Sequence, residues 1–184
     1  MIVGYTLYGQ DNDSWMLEDG QPPNDLKCVH CCLLTDFNYF NPFLKIKRRN
    51  YDFSSLYDIG RVASLRFKEF CTRERYGNIA FKELERSPGF FKFEATNVLQ
   101  FDTLRSGTSL TNYCNVCHSF GEVIGSDPPF LKNQKEIIPD GFYRSDYLFG
   151  SGNNKNPLTI IGPQTYLKLK REKFKGLGFK PIQM

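Results

Sequence analysis

The chain has 184 residues, of which 40% are hydrophobic, and it carries a net charge of +4. This length allows one domain with a sizeable core, or two small lobes. Its apolar runs are only a few residues long, which excludes a membrane-spanning helix, and the mild charge does not by itself indicate a nucleic-acid-binding protein. The first residues lack the cationic start and apolar stretch of a secretory signal, so we expect a cytoplasmic protein.

The hydrophobic pattern predicts a mixture of strands and helices. Ile2 to Tyr8 alternates as a strand does. Apolar residues from Leu56 to Phe70 lie three and four positions apart and follow the candidate caps Ser54 and Ser55, which predicts an amphipathic helix that ends near Gly77. Further short strands are predicted at 90–93, 98–101, 142–149, 158–161 and 179–182, and a second helix at 164–174 after Pro163.

These elements predict an α+β fold with a small mixed sheet and a few short helices. The simplest organisation is a single domain over residues 1–184. The alternative is a lobe over 1–125, which contains all the paired cysteines, followed by a strand-helix-strand lobe over 126–184.

Two Cys-x-x-Cys pairs, Cys28-Val29-His30-Cys31 and Cys114-Asn115-Val116-Cys117, are the strongest chemical signal in the chain. Two residues between cysteines allow both thiolates to point at one ion, and two such pairs supply four soft ligands. The spacing therefore predicts a zinc ion bound by Cys28, Cys31, Cys114 and Cys117. A site with four protein ligands has no open position for water or substrate, so this zinc would be structural and would staple the fold.

Other interpretations of the cysteines remain open, namely reduced structural thiols, a redox pair and disulfides. A thioredoxin-like redox pair opens a helix after a buried strand, whereas loop-forming residues precede both pairs here. Cys32, His30 and His118 adjoin the pairs and are interpreted as neighbours of the site rather than ligands. Cys71 is interpreted as a small core residue of the first helix.

No catalytic constellation accompanies the cysteines, so the protein is not predicted to be an enzyme. The only histidines, His30 and His118, adjoin the pairs, and no Gly-x-Ser-x-Gly motif is present. Gly150 to Pro157 contains glycines and a lysine, but not in the order of a phosphate-binding loop, and it is predicted to form a turn.

Basic clusters at Lys45–Arg49 and Lys168–Lys175 raise the question of nucleic acid. Apolar residues interleave with the second cluster at helical spacing, which favours a solvated helix face over a surface that follows phosphates. Nucleic acid is therefore not the favoured partner. A zinc-stabilised nucleic-acid-binding or regulatory adaptor is kept as the alternative function.

The order of these features resembles the double-CxxCG immunity proteins of bacterial polymorphic toxin systems. Trp15 and a short strand precede the first pair, the second pair comes late, and the chain closes with the tract Phe142–Phe149 and the Gly-Leu-x-Phe-x-Pro segment Gly176–Pro181. Each pair of that family ends in glycine, where this chain has Cys32 and His118. The resemblance implies a cytoplasmic, non-catalytic protein that binds and neutralises one cognate toxin domain.

An excess of aromatic residues, 17 Phe and 10 Tyr against one Trp, suits a protein–protein interface. The stretch from Asp36 to Phe53 mixes aromatics with Asn and Pro, as binding loops do. The predicted partner-binding residues are Tyr39, Phe40, Phe43, Tyr51 and Phe53. The alternative, that these aromatics belong to the core, stays open at this point.

Overall fold

The computed structural model describes residues 1–184, with the exception of the side chain of Asp19. The strands are β1 (Ile2–Asp11), β2 (Phe53–Ser55), β3 (Arg61–Ser64), β4 (Ile79–Glu83), β5 (Phe90–Ala95), β6 (Val98–Leu99), β7 (Ser109–Cys114), β8 (Ser119–Ile124), β9 (Phe142–Ser151), β10 (Asn156–Ile161) and β11 (Leu177–Gln183). The α-helices are α1 (Leu65–Arg73) and α2 (Pro163–Glu172), and single 3₁₀ turns lie at Glu18–Gly20 and Asn24–Leu26.

All eleven strands belong to one mixed sheet in the order β4-β5-β3-β2-β1-β10-β9-β8-β7, with β11 also paired to β1 and β6 to β9. The β1–β2 and β6–β9 pairings are parallel and the others are antiparallel. The sheet is thus mixed, as predicted, but the prediction of a small sheet is wrong. Because β10 and β11 both pair with β1, strands from the two predicted lobes share this sheet.

Strands β4, β7 and β8 were not predicted, because their side chains lack a periodic apolar face. Most residues of β7 are exposed, and β4 has no fully buried residue. Such strands are held by backbone hydrogen bonds to their neighbours, and a single-sequence pattern does not report those bonds.

The long first helix was also predicted wrongly. The chain from Phe53 to Ser64 forms a β2–β3 hairpin, with Gly60 at φ +99° in the connection. Within the predicted first helix, only the part that forms α1 is helical. Ser64, rather than Ser54 or Ser55, is the cap, since its Oγ accepts a hydrogen bond from the Phe67 N–H at 3.2 Å. The second helix is confirmed: α2 begins at Pro163.

The largest apolar cluster lies where α1 and α2 pack on the sheet. Its centre is formed by Phe53, Phe67, Phe93 and Phe142, and the centroids of neighbouring rings are 5.1–6.0 Å apart. A second cluster anchors the irregular segment 12–52, and a third lies around Phe101 near the other end of β1. Neither α-helix has the length and apolar character needed to cross a membrane.

Candidate metal centre

Four cysteine sulfurs meet at one point although the two pairs are far apart in the sequence. The Sγ atoms of Cys28 and Cys114 are 3.9 Å apart, those of Cys31 and Cys117 are 3.5 Å apart, and all four lie within 4.8 Å of one another. A tetrahedral site with metal–sulfur bonds of about 2.3 Å has edges of about 3.8 Å. A disulfide needs sulfurs about 2.05 Å apart, so the four thiols are free and could hold a metal ion.

Each pair forms a tight knuckle, and the residue that directly follows the pair has a left-handed backbone. In the first, the Cys32 N–H donates to the Cys28 carbonyl at 2.9 Å, and Cys32 has φ +61°. In the second, the pair forms the β7–β8 turn, where Cys114 opposes Ser119, and His118 has φ +54°. Glycine adopts this conformation at least cost, which explains physically why a Cys-x-x-Cys-Gly pattern suits such a knuckle.

Backbone amides of the knuckles point at the first sulfur of each pair. The N–H groups of Cys31 and His30 lower the pKa of the Cys28 thiol to about 6, against the opposing effect of burial. The N–H groups of Cys117 and Val116 likewise lower the pKa of Cys114.

In contrast, burial raises the pKa of Cys31 to about 12. Backbone N–H groups therefore favour the thiolate, the form that binds metals, at the first cysteine of each knuckle, and the approach of a cation would favour deprotonation of the others.

A hydrogen bond holds the segment after the first knuckle against the turn between β9 and β10. The Leu34 N–H donates to Asn153 Oδ1 at 2.8 Å, and Asn153 lies in the turn between β9 and β10. Cys28 and Cys114, whose sulfurs are neighbours in the site, are separated by 86 positions in the sequence. A shared ion would therefore tie the irregular N-terminal segment to the β7–β8 hairpin.

Lys155 is a buried cation beside the sulfurs that the sequence did not reveal. Its side chain donates to the Phe120 carbonyl and the residue is 3% exposed. Burial lowers its pKa, while attraction to the thiolate forms of Cys117 and Cys31 acts in the opposite direction. Four thiolates around a divalent ion carry a net charge of −2, so this ammonium group would offset part of that charge.

The other cysteines and the histidines lie outside the group of four. Cys32 and His30 are exposed, and His118 is exposed with its Nδ1 3.2 Å from the Tyr113 hydroxyl. Cys71 is buried in α1, where burial raises the pKa of its thiol, as expected of a core residue.

The predicted partner-binding aromatics differ in accessibility. Phe53 is fully buried between Phe67 and Phe93, so its assignment to a partner surface is wrong; it occupies the inward position of β2. Tyr39 and Phe40 are half-buried against the second cluster. Tyr51 is also half-buried, whereas Phe43 is 53% exposed.

Two exposed aromatic residues that were not predicted as partner-binding, Trp15 and Tyr57, lie close to the predicted stretch from Asp36 to Phe53. Trp15 and Tyr57 stack with ring centroids 5.1 Å apart and planes inclined by 5°. They are 39% and 52% exposed, and Trp15 borders the same surface depression as Leu44 and Lys45. The sequence pattern does not predict that these two rings stack. The single Trp of the chain was nevertheless a usable signal, because tryptophan is enriched at binding surfaces.

No protein-family model matches this chain, and no curated protein matches it.

Proposed function

We propose that this chain is an immunity protein that binds and neutralises a cognate bacterial toxin domain in the cytoplasm, with a structural zinc ion and no activity of its own. The observation that carries the proposal is the left-handed backbone at Cys32 and His118. These are the positions at which the double-CxxCG immunity proteins have glycine. Although the residues differ, the backbone here keeps the conformation that glycine would favour.

Zinc is the metal best suited to the four sulfurs. Soft thiolate ligands in a tetrahedral arrangement favour zinc or an iron–sulfur centre. A single ion suits four sulfurs that lie within 4.8 Å of one another, two pairs of them at 3.5 and 3.9 Å. With Cys28, Cys31, Cys114 and Cys117 as ligands, the ion would hold the fold together rather than activate water.

Replacing Lys155 with methionine is expected to weaken zinc binding by about tenfold, because the substitution removes the buried positive charge beside Cys31 and Cys117. Competition with a chromophoric chelator measures the change in zinc affinity. The control is Lys170→Met, which removes an exposed lysine on α2 and should leave the affinity unchanged. Equal zinc affinity in Lys155→Met and the wild type would contradict the assigned role of Lys155.

The toxin-binding surface is proposed to centre on the exposed aromatics Trp15, Tyr57 and Phe43. Aromatic side chains that are exposed in the free protein supply much of the binding energy of protein interfaces. Lys45 and Lys47 line the same depression as Trp15 and outnumber the one acidic residue described there, Glu18, so the contacted face of the toxin is expected to be acidic or neutral.

Co-expression tests the proposal directly. The toxin domain encoded beside this chain's gene should arrest bacterial growth when produced alone, and co-production of this chain should restore growth. Trp15→Ala and Phe43→Ala should each weaken binding of the purified toxin domain by about tenfold or more. Leu104→Ala, at a residue that is 93% exposed outside the aromatic surface, is the matched control.

Persistent growth arrest despite folded, zinc-loaded chain would overturn the immunity function. An absorbance ratio of the purified chain typical of bound nucleic acid would instead favour the adaptor. Retained affinity in both aromatic variants would move the toxin-binding surface elsewhere without affecting the immunity function itself.

A further inference from the structure

A cavity of 670 Å³ lies between the two halves of the sheet. Residues of β3 and β5 line one side, residues of β9 and β10 line the other, and the loop from Thr35 to Asn38 borders it. Asn156 joins the two sides, because its side chain donates to the Asp58 carbonyl and accepts from the Gly60 N–H, each at 2.6 Å. The volume falls within the range of about 300–1,000 Å³ typical of small-molecule sites.

The carboxylates of this cavity already have partners. Glu94 forms ion pairs with Lys92 at 2.5 Å and with Lys82 at 3.6 Å, although its buried Oε1 accepts no hydrogen bond. Asp146 Oδ1 accepts a hydrogen bond from the Phe101 N–H at 2.8 Å, and Asp36 Oδ1 accepts one from the Asn38 N–H at the same distance. These groups are engaged in holding the walls together.

Two guanidinium groups that line the cavity, those of Arg61 and Arg144, lack a counter-ion. Among the side chains that the structure describes, no carboxylate forms a salt bridge with either. Arg61 donates to the Gly60 carbonyl at 3.2 Å, but its Nε–H is buried without an acceptor. Arg144 donates to the Ser145 carbonyl at 3.3 Å.

Both arginines are half-buried, and a cation that has lost part of its water without gaining an opposite charge costs free energy. Burial lowers the pKa of Arg61 to about 10, so the group is still cationic at neutral pH. Its unsatisfied donor therefore suits an anion that enters the cavity. Arginine presents planar, paired N–H donors that match the oxygens of carboxylate and phosphate.

We propose that this cavity binds a small organic anion, with the guanidinium of Arg61 as the principal ligand of a carboxylate or phosphate group and Arg144 as the second cationic group. Apolar side chains on the walls, including Phe37 and Leu148, would contact the carbon skeleton of the ligand. Lys155, which the candidate metal centre places beside the sulfurs, also lines this cavity, so the cavity adjoins the four cysteines. It is separate from the Trp15–Tyr57 surface, and it does not depend on the toxin-binding function.

Titration of the zinc-loaded chain with inorganic phosphate and with succinate, at ionic strength held constant with chloride, tests this site. The arginine Nε–H resonance of Arg61 should shift saturably in the NMR spectrum of the wild type. Saturation by phosphate alone identifies a phosphate ligand, and saturation by succinate alone identifies a carboxylate ligand. Arg61→Gln should weaken binding at least tenfold, since it removes the charge-assisted hydrogen bonds of the guanidinium group.

Arg171→Gln, at an exposed position of α2 outside the cavity, is the control and should bind as the wild type does. Arg144→Gln should also weaken binding and provides a second variant if Arg61→Gln does not fold. The proposal is overturned if neither anion gives a saturable shift at Arg61. It is equally overturned if folded Arg61→Gln binds with wild-type affinity.

Discussion

Cys114→Ser is expected to abolish stoichiometric zinc binding and to lower the free energy of unfolding by about 4 kcal/mol or more. Cys114 is buried, and its sulfur receives the backbone N–H groups of its own knuckle. A serine oxygen is a poorer ligand for zinc and leaves three thiolates close together without their ion. The melting temperature should fall by about 10 °C or more for a chain of this size.

Metal analysis and thermal unfolding of protein purified without chelator measure both effects. Cys32→Ser is the matched control, because Cys32 is exposed directly beside the first knuckle and has φ +61°. It should retain one zinc per chain and a melting temperature close to that of the wild type. One zinc per chain in Cys114→Ser, with unchanged melting, would refute the four-cysteine ligand set.

Lys92→Met is expected to lower the free energy of unfolding by about 3 kcal/mol, although methionine is of similar length and more apolar. Lys92 is 2% exposed, and its ammonium group donates to the carbonyls of Asn38 and Tyr39 at 3.0 and 2.9 Å. The same group pairs with Glu94 at 2.5 Å. Burial lowers the pKa of Lys92, and the pairing with Glu94 opposes that shift. Its removal leaves two carbonyls without their donor, and it leaves Glu94 with only the more distant Lys82 as a partner.

Lys82→Met is the matched control, since Lys82 contacts the same Glu94 but its side chain is 43% exposed. An exposed ion pair contributes little, so this change should cost no more than about 0.5 kcal/mol. Chemical denaturation of the two zinc-loaded variants measures the difference. Equal stabilities of Lys92→Met and Lys82→Met would show that the buried ammonium group does not hold the loop at Asn38 and Tyr39.

The candidate metal site was accessible to sequence analysis because each knuckle is a local structure. Two intervening residues determine how Cys28 and Cys31 can share an ion, whatever the remainder of the chain does. Cys114 and Cys117 obey the same local rule. The second helix was predictable for a similar reason, since Pro163 and the helical spacing of the apolar residues Tyr166 and Leu169 act within a few residues.

The first helix was mispredicted because strand and helix compete for the same apolar residues. Val62 and Ala63 fit a helical face by spacing, yet they pair with β2 and β5 as part of a strand. Pairing with distant strands decided the outcome, and a local pattern does not contain that information. The size of the sheet was underestimated for the same reason.

Local spacing along the chain by itself determined the two cysteine knuckles, α2 and several strands, because these depend on neighbours within about one turn or one hairpin. Only the tertiary structure decided which polar and aromatic residues are buried. It buried Phe53, Lys92 and Lys155, exposed Trp15, and left Arg61 without a counter-ion at the cavity. Burial and charge pairing depend on residues that are distant in sequence and meet only when the sheet assembles.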